Sequence, residues 1–158
     1  MAEVIVRRAR ETDLGAINRL GEALMGPHAD RLPEIFRRDG MEPYWRKCLD
    51  AEDHAVFVAE RQSSVVGVAL AQLMDETSPV CHAMKLCRLN TIVVDETARG
   101  AGVGRALIEA VEVYARESGA ADIRLSVADF NEAAIAVYRR MGYTIRTHMM
   151  GKLIRETD

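Results

Sequence analysis

The sequence predicts an α/β (α+β layered) protein with a sheet of about six to seven strands flanked by about four helices. Apolar segments with the period of strands alternate with segments of helical period along the chain. Hydrophobic residues are 49% of the 158, enough for the core of one domain over residues 1–158. A glycine-rich turn at residues 99–104 joins the best-defined strand to the best-defined helix, which indicates packed layers of sheet and helix.

The N-terminal part of the chain predicts a strand followed by a helix. Residues 4–9 are mostly apolar and predict the strand. Thr12 offers a capping hydroxyl, and apolar residues at helical spacing predict a helix that continues to about Met25. The Gly26-Pro27 pair predicts the end of this helix. The apolar residues at helical spacing are Leu14, Ile17, Leu20 and Leu24.

Residues 28–50 predict a second, broken helical region, because prolines and a glycine interrupt their apolar residues. The aromatic side chains Phe36, Tyr44 and Trp45 allow two interpretations. They line a pocket for a substrate, or they pack in the core and its lid. The usual burial of large apolar side chains favours the second interpretation.

The middle of the chain predicts a hairpin, a long strand and a helix. Residues 54–60 and 65–74 predict two paired strands around a short polar turn. Residues 84–95 predict the central strand. The apolar stripe over residues 103–118 predicts an amphipathic helix, and Gly119 is placed to end it.

The C-terminal part predicts a strand, a helix and two closing strands. Residues 122–127 alternate between apolar and polar side chains. Asn131 is a favourable N-cap for a helix that Gly142 ends. Residues 143–145 and 148–154 predict the final strands of the sheet.

Composition and charge exclude several classes of protein. The formal net charge of −3 gives no basis for nucleic-acid binding, so we expect no nucleic-acid partner. No apolar run approaches the length of a membrane span, and the N-terminus lacks the pattern of a signal peptide, so we expect no membrane partner. The three cysteines have no C-x-x-C spacing, which predicts reduced thiols in a cytoplasmic protein and no metal site.

The turn Arg99-Gly100-Ala101-Gly102-Val103-Gly104 has the properties of an anion site. It leads into the first turn of a helix, where N–H groups lack intrahelical partners and the helix dipole is positive. Glycines allow a ligand to approach the backbone, so the turn is suited to a phosphate or pyrophosphate. The spacing matches neither the dinucleotide G-x-G-x-x-G pattern nor a P-loop, which disfavours a nucleotide-binding domain.

The turn resembles the [RQ]-x-x-G-x-[GA] acyl-CoA signature of the GCN5-related N-acetyltransferases, the GNAT family. The preceding residues 90–95 are similar to the fourth strand of that family, and residues 123–127 to its fifth. Residues 131–143 match its closing N-x-x-A-x-x-x-Y-x-x-x-G-[FY] segment. The resemblance is strong over residues 86–154, and the residues before them are compatible with it.

The resemblance implies a mixed, mostly antiparallel sheet that is splayed between strands four and five. The pantetheine arm of acetyl-CoA would lie in the gap like an added strand. The main chain of strand four would bind this arm, and the glycine turn would bind the pyrophosphate. The cofactor-binding residues implied are Ile92, Val93, Val94, Arg99, Gly100, Ala101, Gly102, Val103, Gly104, Arg105 and Asn131.

The implied function is that of an acetyl-CoA-dependent N-acetyltransferase in which a primary amine of a small molecule or peptide attacks the thioester directly. A backbone N–H near Val94 would stabilise the oxyanion. Tyr138 occupies the family's tyrosine position, and we expect it to protonate the leaving thiolate, although its hydroxyl could instead only hydrogen-bond CoA. No base is assigned. Asn90 could position a water, and the other candidates are His54, Asp75, Glu76 and His82.

An acyl-CoA-binding regulatory module without turnover is the alternative function, because the fourth strand carries no carboxylate near the expected site. The presence of Tyr138 favours the enzyme. The resemblance also implies a homodimer, in which the methionine-rich C-terminal strand could pair across subunits.

Overall fold

The computed structural model describes residues 2–154, and within them it contains one mixed five-stranded sheet and four α-helices. The strands are adjacent in sequence order; β1 to β4 pair antiparallel, and β5 pairs parallel to β4. This confirms the predicted mixed, mostly antiparallel α/β class. The strands are β1 (Val4–Arg8), β2 (His54–Arg61), β3 (Ser64–Glu76), β4 (Met84–Val94) and β5 (Asp122–Leu125).

The helices are α1 (Leu14–Arg31), α2 (Glu42–Asp50), α3 (Val103–Glu117) and α4 (Glu132–Arg140). The chain divides into two compact units. The first extends to Ser126 and contains the sheet with α1, α2 and α3, and the second begins at Val127 and contains α4. Among the described residues, no helix combines the length and apolar character needed to cross a membrane.

One face of the sheet carries the main core of the first unit. Side chains on this face of β2, β3 and β4 pack with the apolar faces of α1 and α2. Trp45 is only 2% exposed and belongs to this core, whereas Tyr44 is 45% exposed. Phe36 is half-buried, with its ring centroid 5.3 Å from that of His28. The interpretation of Trp45 as a core residue is therefore confirmed.

α3 packs on β3 at a position where the strand has a glycine. A Cβ atom at Gly67 would lie 2.9 Å from Leu107 Cδ1 and 3.0 Å from Val103 Cγ1. The first distance is shorter than real Cβ contacts and the second is tighter than most, so a side chain here would force Leu107 and Val103 to shift in the packed core. This close approach sets the position of the first turn of α3.

α1 is longer than the sequence predicts. Gly26-Pro27 predicts an end near Met25, but the helix continues through Pro27 to Arg31. Proline inside a helix costs about 3 kcal/mol, because it removes a hydrogen bond and crowds the preceding turn. Beyond the proline, Ala29 is buried, and Nδ1 of His28 lies 3.0 Å from the carbonyl oxygen of Leu24. These tertiary and side-chain contacts offset the local preference for a break.

Thr12 does not cap α1, contrary to the prediction from sequence. A 3-10 turn (Glu11–Asp13) precedes the helix. The buried carboxylate of Asp13 accepts two bonds from the Arg7 guanidinium, at 2.8 and 2.9 Å, and one from the Arg10 N–H at 2.7 Å. The guanidinium, which also binds Glu60, lowers the pKa of Asp13 below its ordinary value. Asp13 thus joins the start of α1 to β1.

Residues 143–145 and 148–154 form no strand, so the prediction of six to seven strands is wrong for the described part of the chain. A strand requires a hydrogen-bonded neighbour as well as a suitable sequence. The apolar side chains of these segments are largely exposed; Met149 is 89% and Met150 is 92% exposed. The pattern of residues in both segments is typical of strands, but in the described chain neither segment has a strand to pair with.

Two predicted helix boundaries are confirmed. Gly119 has φ +78° directly after α3, the left-handed conformation that favours glycine at a helix end. The side-chain oxygen of Asn131 accepts the N–H of Ala134 at 3.2 Å and caps α4.

Candidate active site

β4 and β5 are paired only over the first part of β4. The register runs from Leu86 opposite Asp122 to Leu89 opposite Leu125, where β5 ends. β4 continues to Val94, so in the described chain its β5 side has no strand partner beyond Leu89. An extended ligand can therefore add to this free edge of β4 through main-chain hydrogen bonds.

The direction of the β4 main-chain groups follows from its pairing with β3. The Asp95 N–H donates to the Val66 carbonyl at 2.8 Å. Because successive residues of a strand direct their N–H and C=O groups to opposite sides, Val93 also faces β3. Ile92 and Val94 therefore direct their main-chain groups toward the free edge.

A β-bulge interrupts β4 at Asn90. Leu89 pairs with Ala71 and Thr91 pairs with Leu70, so Asn90 has no opposite residue in β3. Bulges redirect side chains and are frequent beside active sites. The exposed Asn90 side chain donates through Nδ2 to the side chain of Gln72, on β3. The alternating sequence of β4 contains no signal for this bulge.

A short 3-10 turn (Glu96–Ala98) leads from β4 to the glycine turn. The Asp95 carboxylate accepts the hydroxyl of Thr97 at 2.7 Å and its N–H at 3.0 Å. These bonds, with Arg19 and Arg99 nearby, lower the pKa of Asp95. Because Ala98 is buried as well, the chain enters the glycine turn along a defined path.

Two residues of the glycine turn have a left-handed backbone conformation. Gly100 has φ +78° and Gly102 has φ +79°, values that L side chains rarely adopt. A Cβ atom on either glycine would meet no atom of the described residues within 4 Å, so that part of the chain leaves the space beside both glycines open. Gly102 precedes the first residue of α3, and no side chain caps the helix. The first-turn N–H groups of α3 are therefore suited to an anion.

The first turn of α3 lies against β4, which brings two of the predicted groups of residues together. A Cβ atom at Gly104 would lie 3.7 Å from Val94 Cγ2. The side chain of Arg105 donates to Glu109 at 2.8 Å along the exposed face of α3, which raises the pKa of Arg105. Arg99 is exposed beside the turn. The free edge of β4 thus continues into the glycine turn.

Asn131 and Tyr138 belong to the second unit. Asn131 is the N-cap of α4. Tyr138 is 7% exposed, and burial raises the pKa of its phenol to about 12. Its ring lies edge-on to that of Tyr143 at 5.7 Å. The phenol is therefore protonated at neutral pH and able to donate.

The candidate bases differ in their surroundings. Glu76 accepts from Arg124 at 2.7 Å and from the Ser78 N–H at 3.0 Å, and these bonds lower its pKa. Asp75 and His82 are exposed, and His54 is half-buried beside Asp53. Within residues 2–154, no group of three or more His, Cys, Asp or Glu side chains is placed to hold a metal ion.

A sequence model of the "Acetyltransferase (GNAT) family" matches residues 19–143 of the chain. The thialysine N-epsilon-acetyltransferase of Sus scrofa is 30% identical over 149 residues, which cover 90% of this chain and 85% of that protein. The Mus musculus protein of the same name is 31% identical over 160 residues, which cover 97% of this chain and 91% of that protein.

Solved structures agree with these sequence matches. A point mutant of the BH1408 protein from Bacillus halodurans superposes with a TM-score of 0.87 at 25% identity, covering 96% of this chain and 99% of that one. The aminoglycoside N-acetyltransferase AAC(6')-Iy, crystallised with CoA, has a TM-score of 0.79 at 19% identity over 98% and 97% of the two chains. The second likeness establishes the fold alone.

Proposed function

The chain belongs to the GNAT family of acetyltransferases, and we propose that its acceptor is the primary amine of a small, lysine-like molecule. It is an acetyl-CoA-dependent N-acetyltransferase. The observation that supports the proposed acetyl-CoA binding mode is the free edge of β4, which leads through two left-handed glycines into a helix N-terminus with no side-chain cap among the described residues.

Acetyl-CoA would use main-chain groups at this edge. The pantetheine arm would bond to Ile92 and Val94, with Val93 supporting them through β3. The pyrophosphate would bind N–H groups of residues 99–105, with the Arg99 side chain beside it. Asn131 would contact the cofactor near the thioester. The left-handed glycines and the contact between Gly104 and Val94 support this assignment.

In the proposed reaction, the neutral amine nitrogen attacks the thioester carbonyl carbon. The new C–N bond forms a tetrahedral oxyanion, which a backbone N–H near Val94 would stabilise. The C–S bond then breaks as the carbonyl re-forms. The surplus proton of the nitrogen passes to solvent, and Tyr138 protonates the sulfur and recovers its proton from solvent. The products are the N-acetylated amine and free CoA.

The pKa of Tyr138 limits how much this acid contributes. At about 12, it keeps the phenol in the protonated form that donation requires. An ordinary thiolate has a conjugate-acid pKa of about 8.5, so full transfer of the proton from the phenol is uphill. We therefore place the contribution of Tyr138 at about 100-fold, the lower end of the range for general acids.

The lysine-like acceptor is supported by the relatives that match most of this chain, whose names specify thialysine. The test is CoA release from acetyl-CoA with thialysine, free lysine and a lysine-containing peptide. We expect release with thialysine and lysine to exceed release with the peptide. Release with the peptide alone would overturn the small-molecule acceptor. Tight acetyl-CoA binding without release for any amine would favour the regulatory module instead.

We further propose that residues 1–158 act as a single domain in a cytoplasmic homodimer. The family model matches residues 19–143, a range that includes the boundary between the two units, which supports one domain. Exposed apolar side chains in the C-terminal segment, including Met149 and Met150, support a subunit contact. The cysteines in the described residues are free thiols, as expected in a reducing compartment. Sedimentation velocity tests the dimer directly.

A further inference from the structure

A chain of hydrogen-bonded side chains crosses the sheet beside the bulge in β4. Nδ2 of Asn90 donates to Oε1 of Gln72, on β3, at 3.1 Å. Nε2 of Gln72 donates to Oδ2 of Asp53, which precedes β2, at 3.0 Å. Nδ1 of His54 lies 2.7 Å from the other oxygen of Asp53. Asp53 therefore has a partner on each of its carboxylate oxygens.

The carboxylate determines the direction of every bond in this chain. An ionised carboxylate can only accept, so Gln72 must turn its NH₂ group toward Asp53. The carbonyl oxygen of Gln72 then faces Asn90, which must in turn present its own NH₂ group. As a result, Oδ1 of Asn90 points away from Gln72, and within residues 2–154 it accepts no hydrogen bond.

These side chains lie on the same face of the sheet as the core under α1 and α2, but beyond the part of that face that the two helices cover. Val68 and Leu70 of β3 belong to the core under those helices, and alternation places Gln72 on the same face. Arg88 is opposite Gln72 in the register and shares this face. Asn90 and Asp53 are exposed, so an acceptor molecule can reach the polar surface.

The proposed binding mode of acetyl-CoA brings the thioester toward Asn90. With the pyrophosphate at the glycine turn, the pantetheine arm extends back along β4 past Val94 and Ile92. Asn90 is two residues beyond Ile92, about 7 Å along an extended strand. The acetyl group at the end of the arm is thus directed to the bulge.

We propose that Asp53 is a positioning residue for acetyl transfer. Acting through Gln72, it holds the Asn90 amide so that Oδ1 accepts an N–H of the acceptor amine beside the thioester. The reversed amide would present its NH₂ group to the amine, and two donors do not form a hydrogen bond. This inference rests on the proposed function, because it takes the amine and the acetyl-CoA binding mode from it.

The kinetic test compares Asp53→Asn with Glu52→Gln, which removes the same charge one residue earlier. Glu52 makes no hydrogen bond to Gln72 or Asn90. With thialysine as acceptor, we expect Asp53→Asn to lower kcat/KM about 5- to 10-fold, the loss of one oriented hydrogen bond. KM for acetyl-CoA should stay within twofold, and Asp53→Glu should restore most of the activity. An unchanged kcat/KM in Asp53→Asn, or an equal fall in Glu52→Gln, would overturn the proposal.

A second measurement needs no acceptor. In ¹⁵N-labelled protein, the side-chain NH₂ resonances of Asn90, assigned with an Asn90→Ala variant, should shift in Asp53→Asn and not in Glu52→Gln. Unmoved resonances would show that the carboxylate does not orient the amide, and would overturn the proposal. If the wild-type protein shows no CoA release with thialysine, the acceptor assignment fails and the role in transfer fails with it. The resonances still report separately on the hydrogen-bonded chain.

Discussion

The two sides of the proposed site differ in the atoms that they present to their ligands. The acetyl-CoA side consists of main-chain groups, at the free edge of β4 and at the N-terminus of α3. The acceptor side consists of side chains, with Asn90, Gln72 and Asp53 joined across the sheet. Tyr138, the proposed acid, is also a side chain.

This difference implies different sensitivities to mutation. A main-chain site is insensitive to most side-chain changes but fails when a residue cannot adopt the required φ or when a Cβ atom displaces the helix. A side-chain site can lose one hydrogen bond or one proton donor while the fold stays intact. Four substitutions, taken in order of decreasing expected effect, distinguish a main-chain site from a side-chain site.

The largest effect is expected for Gly102→Asp, which should raise the Kd for acetyl-CoA at least 100-fold. The substitution strains a residue at φ +79° and places a negative charge where the pyrophosphate would bind. Isothermal titration calorimetry measures the affinity.

Gly119→Asp is the matched control, because Gly119 has φ +78° and equally open surroundings at the other end of α3. It should lose more stability than Gly102→Asp, because its charge lies at the negative end of the helix dipole, but keep its Kd within about twofold, since the ligand is distant. Equal weakening in both variants would mean that strain, and not the anion site, explains the loss.

Tyr138→Phe should lower kcat about 100-fold and leave the Kd for acetyl-CoA within about threefold, because it removes a proton donor and little else. Stopped-time CoA release with thialysine gives the rate, and titration gives the affinity. Tyr143→Phe, the neighbouring ring in the same unit, is the control and should retain its turnover. Wild-type turnover in Tyr138→Phe would contradict the assignment of the acid.

Gly67→Ala should lower the free energy of unfolding by about 1–3 kcal/mol, because the new methyl group overlaps Leu107 and Val103. It should also raise the Kd for acetyl-CoA about fivefold, since α3 must move away from the sheet and carries the anion site with it. Urea denaturation measures the first effect. Gly15→Ala, in α1 with nothing within 4 Å of the new Cβ, is the control and should be neutral or stabilising. If Gly67→Ala were destabilised but kept its Kd for acetyl-CoA, the packing of α3 on β3 would not determine the affinity of the site.

The smallest effect is expected for Gly104→Ala. Its Cβ atom would make only an ordinary contact with Val94, so the better helix former should raise the free energy of unfolding by about 0.5–1 kcal/mol. Affinity for acetyl-CoA should fall about threefold, because the methyl group narrows the approach to the helix N-terminus. Thermal unfolding and calorimetry test the two parts. A loss of stability would contradict the open packing at this residue.

The elements that form the proposed cofactor side could be predicted from sequence, because their determinants are local. A strand, a glycine turn and a helix start are specified by residues that are neighbours along the chain, and the structure contains all three in the predicted order. The burial of Trp45 and the cap at Asn131 follow from equally local patterns. Local preference was a poor guide at Pro27, where contacts beyond the proline maintain the helix.

The acceptor side could not be predicted in this way. Residues 53, 72 and 90 are far apart in sequence, and no pattern in any one strand indicates that their side chains meet. Only the pairing register of three strands, with a bulge at Asn90, places them in one hydrogen-bonded chain. The C-terminal segments show the same limit, because their strand-like sequence has no partner in the described chain. The sequence by itself determined most of the elements and the glycine turn, since these depend on backbone preferences within a few residues. The tertiary structure decided which side chains share a surface, because strand pairing joins residues that are distant in sequence.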